Sequence, residues 1–206
     1  MTTEPLKQHW ESIWARQPPD RMSWYQPHAA TSLRLIQKYA PPPAEVIDVG
    51  GGASVLVDEL IEAGYPQPMV LDIAGDALEI SRARLGTHAS SAQWIENDVT
   101  DAVFSVSAFD VWHDRAVFHF LTEADARQHY VARLRAALRS GGIAVLATFA
   151  ANGPEHCSGL PTCRYDAAGL TSELGADFAL LEACEEDHYT PGGKLQRFQY
   201  AVFRLD

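Results

Sequence analysis

Residues 44–60, AEVIDVGGGASVLVDEL, decide how the rest of the chain is read. The apolar run EVIDV ends in Gly50, Gly51 and Gly52, after which Val57, Leu60 and Ile61 recur at the spacing of one helical face. Glycine reaches positive φ and, lacking a Cβ, lets a ligand approach the backbone. A helix beginning there aims free N–H groups at the same place. The stretch therefore predicts a buried strand, a ligand loop and a helix that stops near Gly64. The alternative is a plain strand-to-helix turn.

Outward from this loop the same rhythm repeats. PMVLDI (68–73) reads as a second buried strand, followed by a helix over 76–85 and a strand over 93–96. FDVWH (109–113) is a fourth strand, a long helix spans about 123–139 and closes at Gly141-Gly142, and IAVLATF (143–149) is a fifth strand. Alternating β and α steps predict a doubly wound α/β sheet. The end breaks the pattern: FALLEACEEDHYT (178–190), Pro191-Gly192-Gly193 and KLQRFQYAVFRL (194–205) read as an antiparallel hairpin.

Before the sheet, Trp10 and Trp14 stand four apart on a predicted helix, Trp24 and Tyr25 follow, and APPPAE (40–45) is a short rigid link. The two helical tryptophans are either a satellite core or part of a cover. Residues 1–43 are expected to form a helical lid or arm and residues 44–206 the main body of one globular domain, as suits 206 residues.

Composition excludes several classes. The formal charge is 16 − 27 = −11 with no basic stripe, which disfavours nucleic acid as a partner. The longest apolar runs are strand-sized, well short of the roughly 18 residues that span a bilayer, so no membrane partner and a cytoplasmic location are expected. Cys157, Cys163 and Cys184 are odd in number and lack CxxC spacing, which argues against a disulfide framework and a closed zinc site; no metal is expected.

The loop chemistry narrows the ligand. Val55 stands where a dinucleotide fingerprint places its third glycine, and Asp48 at the strand end would repel pyrophosphate. A cofactor with an amino-acid end and an adenosine end, and no phosphate, suits the loop better. Asp72 ends the second strand, 72 − 50 = 22 residues after Gly50, where a carboxylate can accept both ribose hydroxyls. Asp98 ends the third strand within reach of an exocyclic amino group.

The series EVIDVGGGAS, VLDIAGDAL, WIENDVTD, FDVWHDRAVFHFL and LRSGGIAVLATF, with the final hairpin, resembles the class I S-adenosylmethionine-dependent methyltransferases over about residues 24–206. The acidic residue stands two places before the first glycine, and the match takes Gly50-Gly51-Gly52 as the G-x-G. The resemblance implies a Rossmann-like seven-stranded sheet of order 3-2-1-4-5-7-6 with strand 7 antiparallel, and S-adenosylmethionine as cofactor. It further implies that Asp48, Gly50, Gly51 and Gly52 line the methionine end under Trp24 and Tyr25. Asp72 would hold the ribose, with Ile73, Asn97, Asp98 and Val99 around adenine, and His113, Asp114 and Arg115 would lie beneath the sulfonium and substrate.

Each of these side chains also has a plainer reading. His113 and His119 are either general bases or satisfied core residues. Asp114-Arg115 is either a structural ion pair or a device that orients the cofactor carboxylate and the substrate. The loop ANGPEHCSGLPTCRYD (151–166), with His156, Cys157, Cys163 and Arg164, is expected to wall the substrate. FDVWHDRAVF is similar to the corresponding stretch of thiopurine and other thiol or chalcogen methyltransferases and of some protein-lysine methyltransferases; the expected acceptor is a small molecule bearing a thiol, chalcogen, carboxylate or hydroxyl. A protein lysine, a nucleotide-dependent oxidoreductase and a non-catalytic cofactor-binding module are the alternatives, and either a monomer or a homodimer fits.

Overall fold

The computed structural model describes residues 3–206. The elements run α1 (Thr3–Trp14), α2 (Ala30–Tyr39), β1 (Val46–Val49), α3 (Leu56–Glu62), β2 (Met69–Asp72), α4 (Gly75–Leu85), β3 (Gln93–Glu96) and β4 (Phe109–Arg115). They continue with α5 (Ala124–Ala137), β5 (Leu138–Phe149), β6 (His156–Cys157), β7 (Leu160–Pro161), α6 (Ala167–Leu174), β8 (Phe178–Tyr189) and β9 (Leu195–Leu205).

Among the described residues, seven strands form one sheet in the order β3-β2-β1-β4-β5-β9-β8. The first five run parallel, whereas β9 lies antiparallel to both β5 and β8. This is the expected order, with β6 and β7 set aside as a small separate hairpin.

Alternation along the strands divides the interior into two cores. Ile47, Trp112, Ala144, Leu146, Ala201 and Phe203 face α5 and α6, meeting Tyr130, Leu134, Leu170 and Leu174. Val46, Val111, Ile143, Val145, Tyr200 and Val202 face the other way, onto Leu35 and Ile36 of α2 and Leu56 and Leu60 of α3. Strands buried on both faces read as continuous apolar runs, which is why EVIDV and IAVLATF were recognisable. Each large side chain sealed in this way contributes about 1.5–3 kcal/mol.

Three expectations change. The long helix ends at Ala137 rather than at Gly141-Gly142, because Gly141, at φ 77°, shapes an irregular entry into β5, where pairing steps from Phe109↔Leu138 to Val111↔Ile143. The segment 1–43 is not one piece, since Leu35 and Ile36 of α2 are fully buried and belong to the domain layer. The 151–166 loop carries the β6–β7 hairpin, and α6 follows, its first turn capped by Asp166 accepting from the Gly169 N–H at 2.7 Å.

Candidate active site at the carboxyl ends of the strands

The parallel strands end on one edge, where an open α/β sheet forms its ligand crevice. A cleft of about 930 Å³, open mouth included, lies there, and a second hollow of about 600 Å³ shares Trp14, Trp24, Gly50 and Arg115 with it.

The glycine loop is wedged between two carboxylates. Gly50 and Gly52 sit at φ 68° and 37°, and the N–H groups of Gly50 and Gly51 both donate to the Leu71 carbonyl, at 2.7 and 3.2 Å. A Cβ on Gly51 would come within 2.5 Å of Asp48 Oδ2, and one on Gly52 within 2.6 Å of Asp72 Oδ2. The loop lies so close to these carboxylates that no side chain fits. Gly52 itself does not line the cleft; its carbonyl accepts from Ser81 Oγ at 2.7 Å, tying the loop to α4.

Asp72, Ile73, Asn97, Asp98 and Val99 line the larger cleft together. Asp72 is buried, its Oδ1 accepting from the Ala74 N–H at 2.8 Å. Burial pushes its carboxyl up to about 7, the N–H groups of Ala74 and Ile73 oppose this, and the charge of Asp48 adds to it. Asp98 Oδ1 accepts from the Thr100 N–H and hydroxyl, at 2.9 and 2.7 Å.

The smaller hollow gathers Tyr25, Gln26, Asp48, Gly51 and His113. Asp48 and His113 are both buried, their Oδ1 and Nδ1 2.7 Å apart, and His113 Nε2 meets Ser32 Oγ of α2 at 2.8 Å. Ser32 Oγ is 3.3 Å from the Tyr200 hydroxyl, which accepts from Arg115 Nε at 3.2 Å. A buried polar chain therefore links β1, β4, α2 and β9.

Asp114 and His119 do not line either hollow. Asp114 points to the opposite face, where it accepts from the Tyr130 hydroxyl at 2.6 Å and from the N–H groups of Val117 and Phe118 at 2.9 and 3.0 Å. Burial pushes it up to about 6 against these hydrogen bonds, and pushes Tyr130 well above the ordinary phenol range. His119 is fully buried beside Phe120 and Phe149, with its Nδ1 accepting from the Phe149 N–H at 3.1 Å. Burial, and then the Arg115 charge, push it down to about 3, so the ring is neutral.

The α1 helix covers the larger cleft. Leu6, Trp10 and Trp14 line it, Trp10 packs edge-on to Trp24 and Phe120, and Lys7 pairs with Glu96 at the end of β3. Sequence reasoning missed Leu6, Phe120, Leu121, Phe149 and Phe198, which finish this wall. Their apolar runs read as core, and only the strand order reveals that they stand at the ligand edge. Of the cysteines, Cys157 lines the cleft, its thiol pushed up by burial; Cys163 and Cys184 do not. Among the described residues no group of three or more His, Cys, Asp or Glu is placed to hold a metal, and no helix is long and apolar enough to cross a membrane.

A family model described as a methyltransferase domain matches residues 46–142. A curated relative, the eEF1A lysine and N-terminal methyltransferase of Mus musculus, is 24% identical over 107 residues, which cover 52% of this chain and 15% of the relative. The chain thus spans a small part of the length of the curated relatives it matches. Among solved structures, one from work on the conversion of a disulfide bond into a thioacetal group during echinomycin biosynthesis has a TM-score of 0.78 at 19% identity, covering 98% of this chain and 93% of that one. The 1,6-didemethyltoxoflavin-N1-methyltransferase of Burkholderia thailandensis, solved with 1,6-didemethyltoxoflavin and S-adenosylhomocysteine bound, has a TM-score of 0.73 at 17% identity, covering 100% and 92%. At these identities the likeness is one of fold.

Proposed function

We propose that this chain is a class I S-adenosylmethionine-dependent methyltransferase, a reading supported by the methyltransferase-domain match over residues 46–142, and that it methylates a small-molecule acceptor held between the ends of β4, β5 and β9. The observation that carries the reading is the enclosed apolar half of the cleft, walled by Trp10, Trp24, Phe120, Phe149 and Phe198. The methyltransferase-domain match over residues 46–142 favours this reading over the oxidoreductase alternative.

The residues present fit the cofactor. The Asp72 carboxylate, buried and pushed up to about 7 at the edge of the cleft, calls for added hydrogen-bond donors, which ribose hydroxyls supply. Ile73, Asn97, Asp98 and Val99 would flank the adenine; Asp48, Gly50, Gly51 and Tyr25 would take the methionine end, with Trp24 above both. When bound, the cofactor supplies a methyl group on a positively charged sulfur, an activated leaving group.

What the chain adds is positioning and exclusion of water. Neither histidine is arranged as a base toward the cleft: both His113 nitrogens are engaged, and neutral His119 lies behind the aromatic wall. The acceptor must therefore bring its own nucleophilicity, as an ionised or soft group does. His113 positions instead, bracing Asp48 under the glycine loop.

The test is transfer of labelled methyl from S-adenosylmethionine into a cell extract that is then separated by size. Label among small molecules is the expected result. Label on protein would favour a lysine acceptor, the activity that the name of the curated relatives carries.

A further inference from the structure

Arg115, the last residue of β4, stands at the junction of the two hollows. Its side chain is 10% exposed and lies over the Phe198 ring, with the guanidinium carbon 4.2 Å from the ring centroid. Nε donates to the Tyr200 hydroxyl at 3.2 Å and Nη1 to the Trp24 carbonyl at 3.2 Å. Nη2 is buried with no hydrogen-bond partner. Glu186 of β8 is its nearest anion, at 3.6 Å, beyond hydrogen-bond reach, and that carboxylate already accepts from Gln26 Nε2 at 3.0 Å.

A buried donor left without a partner on a residue that lines the cleft is satisfied by a ligand that brings an acceptor, because an unmade hydrogen bond by a buried group is costly. Trp10, Trp24 and Phe120, each partly exposed, offer apolar aromatic surface in the same cleft, and neither histidine is arranged there as a base. Among the described residues that line the cleft, Arg115 is the sole Lys or Arg.

Resting on the small-molecule reading, we propose that the acceptor is a planar aromatic anion, its charged oxygen received by the Arg115 guanidinium and its ring by the partly exposed rings of Trp10, Trp24 and Phe120. A rival role for Arg115 is to hold the cofactor's own carboxylate. The stacking of the guanidinium on Phe198 of β9 and its approach to Glu186 of β8 favour the acceptor, and because Arg115 also lines the hollow that holds Gly50 and Gly51, the binding test separates the two roles.

The test titrates benzoate, its neutral amide benzamide and aliphatic propionate into the protein saturated with S-adenosylhomocysteine, read by calorimetry and tryptophan fluorescence. Benzoate is expected to bind at least about tenfold more tightly than benzamide, the size of one charge-assisted hydrogen bond, and more tightly than propionate, which carries the charge without the ring. Arg115→Gln is expected to erase the preference over benzamide while S-adenosylhomocysteine still binds; Arg115→Lys keeps the charge without the fork and recovers part of it. Equal binding of the three probes by the wild type overturns the proposal without recourse to a variant. Loss of S-adenosylhomocysteine affinity in Arg115→Gln, with the benzoate preference intact, assigns the arginine to the cofactor instead. Failure of the wild type to bind S-adenosylhomocysteine at all would strike the cofactor reading, a separate result.

Discussion

His113 and Asp114 are neighbours in β4, yet their side chains leave opposite faces of the sheet. His113 meets Asp48 at 2.7 Å beside the glycine loop, and Asp114 meets the Tyr130 hydroxyl at 2.6 Å against α5. Strand periodicity separates the two roles: one residue braces the ligand edge and the next organises the core.

Asp114 is thus a residue of stability. Asp114→Ala strands the Tyr130 hydroxyl and two backbone N–H groups in the interior, and is expected to cost about 2–4 kcal/mol in urea unfolding. S-Adenosylhomocysteine affinity, measured where the variant remains folded, is expected to stay within about threefold of wild type, less than 1 kcal/mol. A loss of affinity without a loss of stability would contradict this assignment.

His113→Phe removes the partner of a buried carboxylate and leaves Ser32 facing a hydrocarbon ring. The expected destabilisation is about 3 kcal/mol or more. Because Asp48 lies under Gly51, cofactor affinity should fall as well, the combination that separates His113 from Asp114 in paired unfolding and calorimetry experiments.

Asp72, proposed to hold the ribose, is expected to make cofactor binding depend on pH. Its carboxyl is held near 7 in the ligand-free protein, and ribose hydroxyls donate to the ionised form. Affinity for S-adenosylhomocysteine should therefore be full above pH 7 and fall about tenfold per unit well below it. The folding linkage has the opposite sense. A raised folded-state value means that the folded state binds a proton the unfolded chain releases near 4, so the ligand-free protein loses stability as pH rises from about 4 to about 7. Asp72→Asn should raise the melting temperature of the ligand-free protein at pH 8 and abolish the pH dependence of binding, along with most of the binding itself.

The cover built by α1 also has an observable. Trp10 and Trp14 both line the larger cleft, so a ligand there packs against the helix. Saturating S-adenosylhomocysteine is expected to slow proteolysis within residues 3–28 and to quench tryptophan fluorescence, and Trp10→Ala should weaken both effects. Unchanged cleavage with and without the ligand would show that α1 is permanent core rather than a lid.

Sequence alone went far with the sheet. Apolar runs of strand length, glycine stops and the Pro191-Gly192-Gly193 turn are local signals, and they located the strands of the large sheet and the final hairpin. Three carboxylates at three successive strand ends were likewise legible, because an aspartate that closes an apolar run is conspicuous in the chain itself. The end of α5 was misplaced because Gly141-Gly142 suits a helix stop and a bulged strand entry equally well.

Tertiary structure alone decided which side chains face the ligand. HDR (113–115) reads as one polar cluster, and only the pleat of β4 sends His113 and Arg115 to the cleft and Asp114 to α5. Phe149 and Phe198, 49 positions apart, pair across β5 and β9 to build the aromatic wall, and Ser32, Tyr200 and Glu186 come to the edge from α2, β9 and β8. The local code specifies elements because propensity and periodicity act over a few residues. Contacts between distant elements depend on strand order and register, which are fixed only when the two cores close on either side of the sheet.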